Sequence, residues 1–113
     1  MIAVINEKIV TGDDKVDATI EHAKKQFFGT HSTLDSKRSA CESLSFVIEP
    51  LRNDLSELFS GDTEAFFQIV NTFTVRHNKA LTKRIEHEEQ LEWIFFSLLN
   101  TLNTYVKLKR KLA

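Results

Sequence analysis

The sequence predicts an all-α protein, an up-down bundle of four helices or, at most, five. Three observations predict it. Apolar residues recur at the 3.6-residue helical period in several separate stretches. The chain of 113 residues holds only 3 Gly and 1 Pro, so little interrupts those stretches. Acidic residues gather at the starts of the stretches and basic ones at their ends, as the helix dipole prefers. Helices with one apolar face bury it against each other, and a bundle is the simplest way to do so. The length suits a single core. We read one helical domain over residues 13–113, preceded by an arm over residues 1–12.

The arm carries a short β-branched run, Ile2, Val4, Ile5, Ile9 and Val10. It reads either as an extended arm or edge strand, or as a disordered or partner-docked tail. The first helix is expected from Asp13 or Asp14. Val16, Ile20, Ala23 and Phe27 lie on one face, Asp13, Asp14 and Asp17 fall in its first turn, Lys24 and Lys25 in its last, and Gly29 ends it.

The second helix is expected to begin near Ser32 to Asp35. Its stripe is Ala40, Leu44, Val47, Leu51, Leu55 and Leu58. Pro50 lies inside that stripe, where it removes a backbone donor and crowds the carbonyl of Phe46. The period continues in phase through it, which predicts one kinked helix rather than two. Ser60-Gly61 closes this element, and Asp62 or Thr63 caps a third helix with Phe66, Ile69, Val70 and Phe73 on its apolar face. The last helix is expected from near His87. Leu91, Ile94, Phe95, Leu98, Leu99, Leu102, Tyr105, Val106 and Leu108 form a stripe broader than one neighbour could cover.

Composition narrows the function classes. The net charge of −1 disfavours strong non-specific nucleic-acid binding by the whole surface. The charge is uneven, however: Arg76, Lys79, Lys83 and Arg84 cluster, and Lys107, Lys109, Arg110 and Lys111 form a second run. The single Cys41 excludes an internal disulfide and a multi-cysteine metal site, and fits a reducing setting. No apolar run approaches the ~18–20 residues needed to span a bilayer, and residues 1–7 lack a secretory signal's basic start. A cytoplasmic protein without cofactor, metal or membrane contact is expected.

The residues that could carry chemistry lie around Val75-Arg76-His77-Asn78-Lys79. Arg is a permanently charged fork that clamps a phosphate with two hydrogen bonds, and His moves a proton near neutral pH. Together at a helix end they could support metal-independent RNA cleavage, in which a base takes the 2′-hydroxyl proton and a cation stabilises the developing charge. An Arg and a His at a helix terminus also pair simply with carboxylates and carbonyls. Adjacent helical residues point about 100° apart, so convergence on one phosphate needs a break in the helix. His87 could join Arg76 or merely cap the last helix. Lys79, Lys83 and Arg84 form either a phosphate-facing patch or solvated surface. Asn71 and Asn78 could brace the junction by hydrogen bonds. His22 and His31 lie in other elements, and no histidine pair has the spacing of a zinc site. Phe67, Trp93 and Phe96 fall off the tightest stripes, which makes them candidates for an exposed aromatic interface or for core.

At these residues the chain resembles a HEPN-type domain of the small bacterial kind found with abortive-infection and toxin–antitoxin systems. The resemblance rests on Phe67-Gln68-Ile69-Val70-Asn71, on Phe73 to Asn78, and on Glu92 to Leu99. Lys37 to Cys41 and Ile48 to Arg52 add to it. It covers residues 14–109. It implies a four- to five-helix bundle that dimerises across its last helices, and in many members a metal-independent RNase with an Arg followed four to six residues later by a His. Arg76 matches the Arg. Positions 81–83 are Leu81, Thr82 and Lys83, so His77 or His87 would have to supply the imidazole. The expectation is a homodimer in RNA-related defence or toxin biology, with Arg76, His77 and His87 catalytic and Lys79, Lys83 and Arg84 steering RNA. The alternative is a non-catalytic module that dimerises and docks onto a partner effector or antitoxin.

Overall fold

The computed structural model describes residues 8–58 and 87–112. Over these residues the protein is all-helical. Helix α1 spans Asp14–Phe28, α2 spans Leu34–Ile48, and a 3-10 turn over Glu49–Leu51 leads into α3, Arg52–Leu58. Helix α4 spans Glu88–Leu112. The third helix expected after Asp62, with Phe66, Ile69, Val70 and Phe73, lies outside the described residues.

Each helix begins where side-chain chemistry lets it. The Asp13 carboxylate accepts from the amides of Lys15 and Val16, at 2.9 and 3.3 Å, and so satisfies two donors that the first turn leaves open. Thr33 and Ser36 form a reciprocal capping box at the start of α2. Gly29 ends α1 in extended backbone, φ −65° and ψ 153°. Its need for glycine is steric: a Cβ there would stand 2.6 Å from the Lys25 carbonyl oxygen. Pro50 falls within the 3-10 turn that joins α2 directly to α3, where the sequence predicts one kinked helix rather than two.

Contacts fix the relative directions of the helices. Val16 near the start of α1 and Val47 near the end of α2 line one groove, while Phe27 at the end of α1 lies under Lys37 at the start of α2. The two helices are therefore antiparallel. Lys37 of α2 pairs with Glu88 of α4, Cys41 Sγ lies 3.7 Å from the Leu91 carbonyl, and Asp54 of α3 meets Tyr105. Helix α4 thus runs in the same direction as α2 and α3, and antiparallel to α1.

The core sits between these helices. Ile20, Ala23 and Phe27 of α1, Ala40, Cys41, Leu44 and Ile48 of α2, and Leu55 of α3 are all buried. On α4 Leu91, Ile94, Phe95, Leu98, Leu99, Leu102, Tyr105 and Val106 are buried, eight of the nine residues of the expected stripe. The Phe27 and Phe95 rings stack across the interface, centroids 4.2 Å apart and planes at 13°. Val47 and Leu51 pack against this core from its edge.

The arm is part of this packing from Lys8 onward. No strand occurs over residues 8–12, yet Ile9 is buried in the core cluster. Thr11 holds the segment to α1 by donating its amide and its hydroxyl to Asp17 Oδ1, at 2.8 and 2.7 Å. Phe95→Ala removes the ring stacked on Phe27 and leaves a cavity between α1, α2 and α4. It is expected to lower unfolding stability by about 3–5 kcal/mol, read from urea midpoints at unchanged slope.

Candidate functional site

Of the residues assigned to the candidate site, Asn71, Arg76, His77, Asn78, Lys79, Lys83 and Arg84 lie outside the described residues. His87 lies within them. It immediately precedes α4, and its carbonyl accepts from the amides of Gln90 and Leu91 at 3.1 and 3.3 Å. Its backbone therefore opens the helix while its side chain is exposed. The next residue, Glu88, is paired with Lys37, whose ammonium also stands 5.3 Å from the Phe27 ring centre. This end of the bundle brings together the end of α1, the start of α2 and the start of α4.

An aromatic surface adjoins it. Phe28 is 41% exposed and Trp93 53%, and half-buried Phe96, one turn after Trp93 on α4, packs against the core. Phe96 lies 5.7 Å from Phe28 and 6.5 Å from Phe27. The two residues expected off the α4 stripe thus part ways, Trp93 facing outward and Phe96 packing against the core edge. Phe67 lies outside the described residues. His22 and His31 are both exposed, and no group of three or more His, Cys, Asp or Glu stands together among the described residues.

The opposite end carries polar contacts that the sequence did not reveal. Tyr105 donates its hydroxyl to Asp54 Oδ2 at 2.9 Å, and Lys109 donates to the same oxygen at 3.3 Å. The Tyr105 hydroxyl and the Lys109 ammonium hold the Asp54 carboxyl below the usual carboxylate range. Burial pushes the Tyr105 phenol up, and the Asp54 carboxylate that accepts its proton pushes it further. Arg110 Nη2 donates to the Val10 carbonyl at 3.3 Å. Residues 51 positions apart give no pairing signal in a single sequence. Buried Lys24, 7% exposed and 3.3 Å from Glu21, was legible only as a helix-end cation. Cys41 is buried beneath α4, and desolvation pushes its thiol up to about 12, so it is inert rather than nucleophilic.

No family model matches the chain, and no curated relative or solved structure matches it either. Among the described residues no helix is long and apolar enough to cross a membrane.

Tyr105 is the only tyrosine in the chain, so tyrosinate absorbance reads it alone. Its raised pKa means that the contact stabilises the fold below the ordinary tyrosine value of about 10 and loses that effect as pH rises through the folded value. The lowered Asp54 value acts in the opposite sense: its share is present above the ordinary aspartate value of about 3.9 and is lost as pH falls through the folded value. Asp54→Asn is expected to bring the Tyr105 titration down towards its ordinary value. An unchanged titration would mean that burial alone raises it.

Proposed function

We propose that this chain is a HEPN-like helical domain acting in RNA-related defence or toxin biology, as a homodimer that cleaves RNA without a metal. The observation that carries the reading is the direction of the helices. Helices α2 and α3 run parallel to α4. An up-down bundle then needs one returning helix between them, and Phe66, Ile69, Val70 and Phe73 have the spacing for its buried face.

Such a return would end where α4 begins. That would bring Arg76 and His77 to the end of the bundle where His87 is exposed, with Lys79, Lys83 and Arg84 on the connection between them. In this reading Arg76 binds the scissile phosphate as a bidentate fork, and His87 or His77 takes the 2′-hydroxyl proton. Asn71 and Asn78 brace the junction, and the three cations draw the RNA backbone in.

Purified protein incubated with total tRNA and mRNA in EDTA tests this. Cleavage is expected from the wild type and is expected to fall at least about 100-fold in Arg76→Ala and in whichever of His77→Ala or His87→Ala removes the base. Absence of cleavage by folded dimer would overturn the RNase reading.

A second reading is a non-catalytic module that dimerises and docks onto a partner effector or antitoxin. Exposed Phe28 beside Phe96, with exposed Trp93 one turn earlier on α4, favours it, because exposed aromatics mark interaction surfaces. Trp93→Glu puts a charge on that surface without touching the core. Sedimentation is expected to show the assembly weakened at least about tenfold in this variant, whereas an unchanged sedimentation profile would place the contact elsewhere.

A further inference from the structure

At the far end of the bundle a cleft of about 320 Å³ lies between the chain at Val10-Thr11-Gly12 and the last turns of α4. Its wall on the helix side is Tyr105, Val106, Lys109 and Arg110. Two of the lining residues are cations and none is a carboxylate. The carboxylates nearby are already engaged: Asp17 accepts twice from Thr11, Asp13 caps α1, and Asp54 accepts from Tyr105 and Lys109.

Arg110 differs from its neighbours. Its partner is a neutral carbonyl, that of Val10, bonded through one of the five N–H donors a guanidinium carries. That bond fixes the fork at the cleft while leaving its charge without a carboxylate among the described residues. Cations in the last turn of a helix complement its dipole wherever they point. The dipole does not explain a strap that holds one of them beside a cleft with apolar walls.

We propose that this cleft binds the phosphate of a small phosphate monoester, with Arg110 as the bidentate fork and Lys109 as the second cation. Val10, Val106 and the edge of Tyr105 would take the carbon portion of the ligand. Lys109 would keep its contact to Asp54, so phosphate would meet a lysine already positioned. The site is about 35 Å from His87 along α4, at roughly 1.5 Å per residue, and it does not depend on RNA cleavage at the other end.

Amide and Arg Nε–H spectra of the full ¹⁵N-labelled chain, titrated with inorganic phosphate, adenosine monophosphate and adenosine, test the inference. Phosphate and adenosine monophosphate are expected to cause saturable shifts at Thr11, Gly12 and Arg110, with adenosine causing none. Tighter binding of the nucleotide than of free phosphate would assign the carbon portion to the apolar walls, and equal binding would assign the site to phosphate alone; both support a phosphate site. Arg110→Gln is expected to weaken binding about tenfold or more. Lys109→Gln is the second variant, and each is read only with the remaining spectrum unchanged. Shifts that never saturate and spread over all exposed lysines would overturn the proposal. So would adenosine acting like its monophosphate, or affinities unchanged in both variants.

Discussion

The described structure depends on burying one long helix on two sides at once. The apolar stripe of α4 is too broad for a single neighbour: α2 packs along it, the end of α1 meets it at the Phe27–Phe95 stack, and α3 meets it near Tyr105. The Phe27–Phe95 stack is the point where α1, α2 and α4 meet, since Phe27 also lies under Lys37 of α2. Fully burying a large apolar side chain contributes roughly 1.5–3 kcal/mol, against about 0–1 kcal/mol for an exposed ion pair. The fold is therefore held by the stripe, and the polar contacts have another role.

That role is register. Lys37–Glu88 and Asp54–Tyr105 tie α4 to α2 and α3 at both ends, with Cys41 against the Leu91 carbonyl between them. Apolar faces tolerate sliding better than hydrogen bonds do, because a stripe repeats each turn whereas a donor–acceptor pair does not. A slip of one turn, about 5.4 Å, would break both end contacts together. Weak individually, they select one alignment from several of similar burial. The arm adds a third tie: Ile9 fills the core, and the Val10 carbonyl meets Arg110 near the end of α4.

The sequence made the helices legible because periodicity, caps and dipole-placed charges all act locally. Asp13, Gly29 and the Thr33 region set the ends of α1 and the start of α2 within a residue or two of expectation. The disturbance expected at Pro50 from one missing donor appears as the 3-10 turn. Less was legible where a face faces two neighbours. Ile48 and Cys41 lie off the expected α2 stripe yet are buried, because that helix contacts both α1 and α4. Asn103 is buried on α4 for the same reason. The Asp54–Tyr105–Lys109 contact was invisible because it joins distant segments. Of the candidate site, His87 lies within the described residues: the sequence put it at the start of the last helix, and its carbonyl takes that helix's first hydrogen bonds.

In the proposed chemistry His87 and His77 are not equivalent partners for Arg76. On a regular helix the side chains of residues 76 and 77 would point about 100° apart, so both could reach one phosphate only across a break. His87 is free of that restriction, since its backbone is set by the start of α4. The start of α4 is itself anchored through Glu88 to Lys37, and Lys37 to the Phe27 ring. An exposed imidazole on so braced a helix start has its backbone fixed by α4. In the proposed chemistry, proton transfer would need its group within about 3 Å of the reacting oxygen, a demand that a backbone anchored in α4 helps to meet.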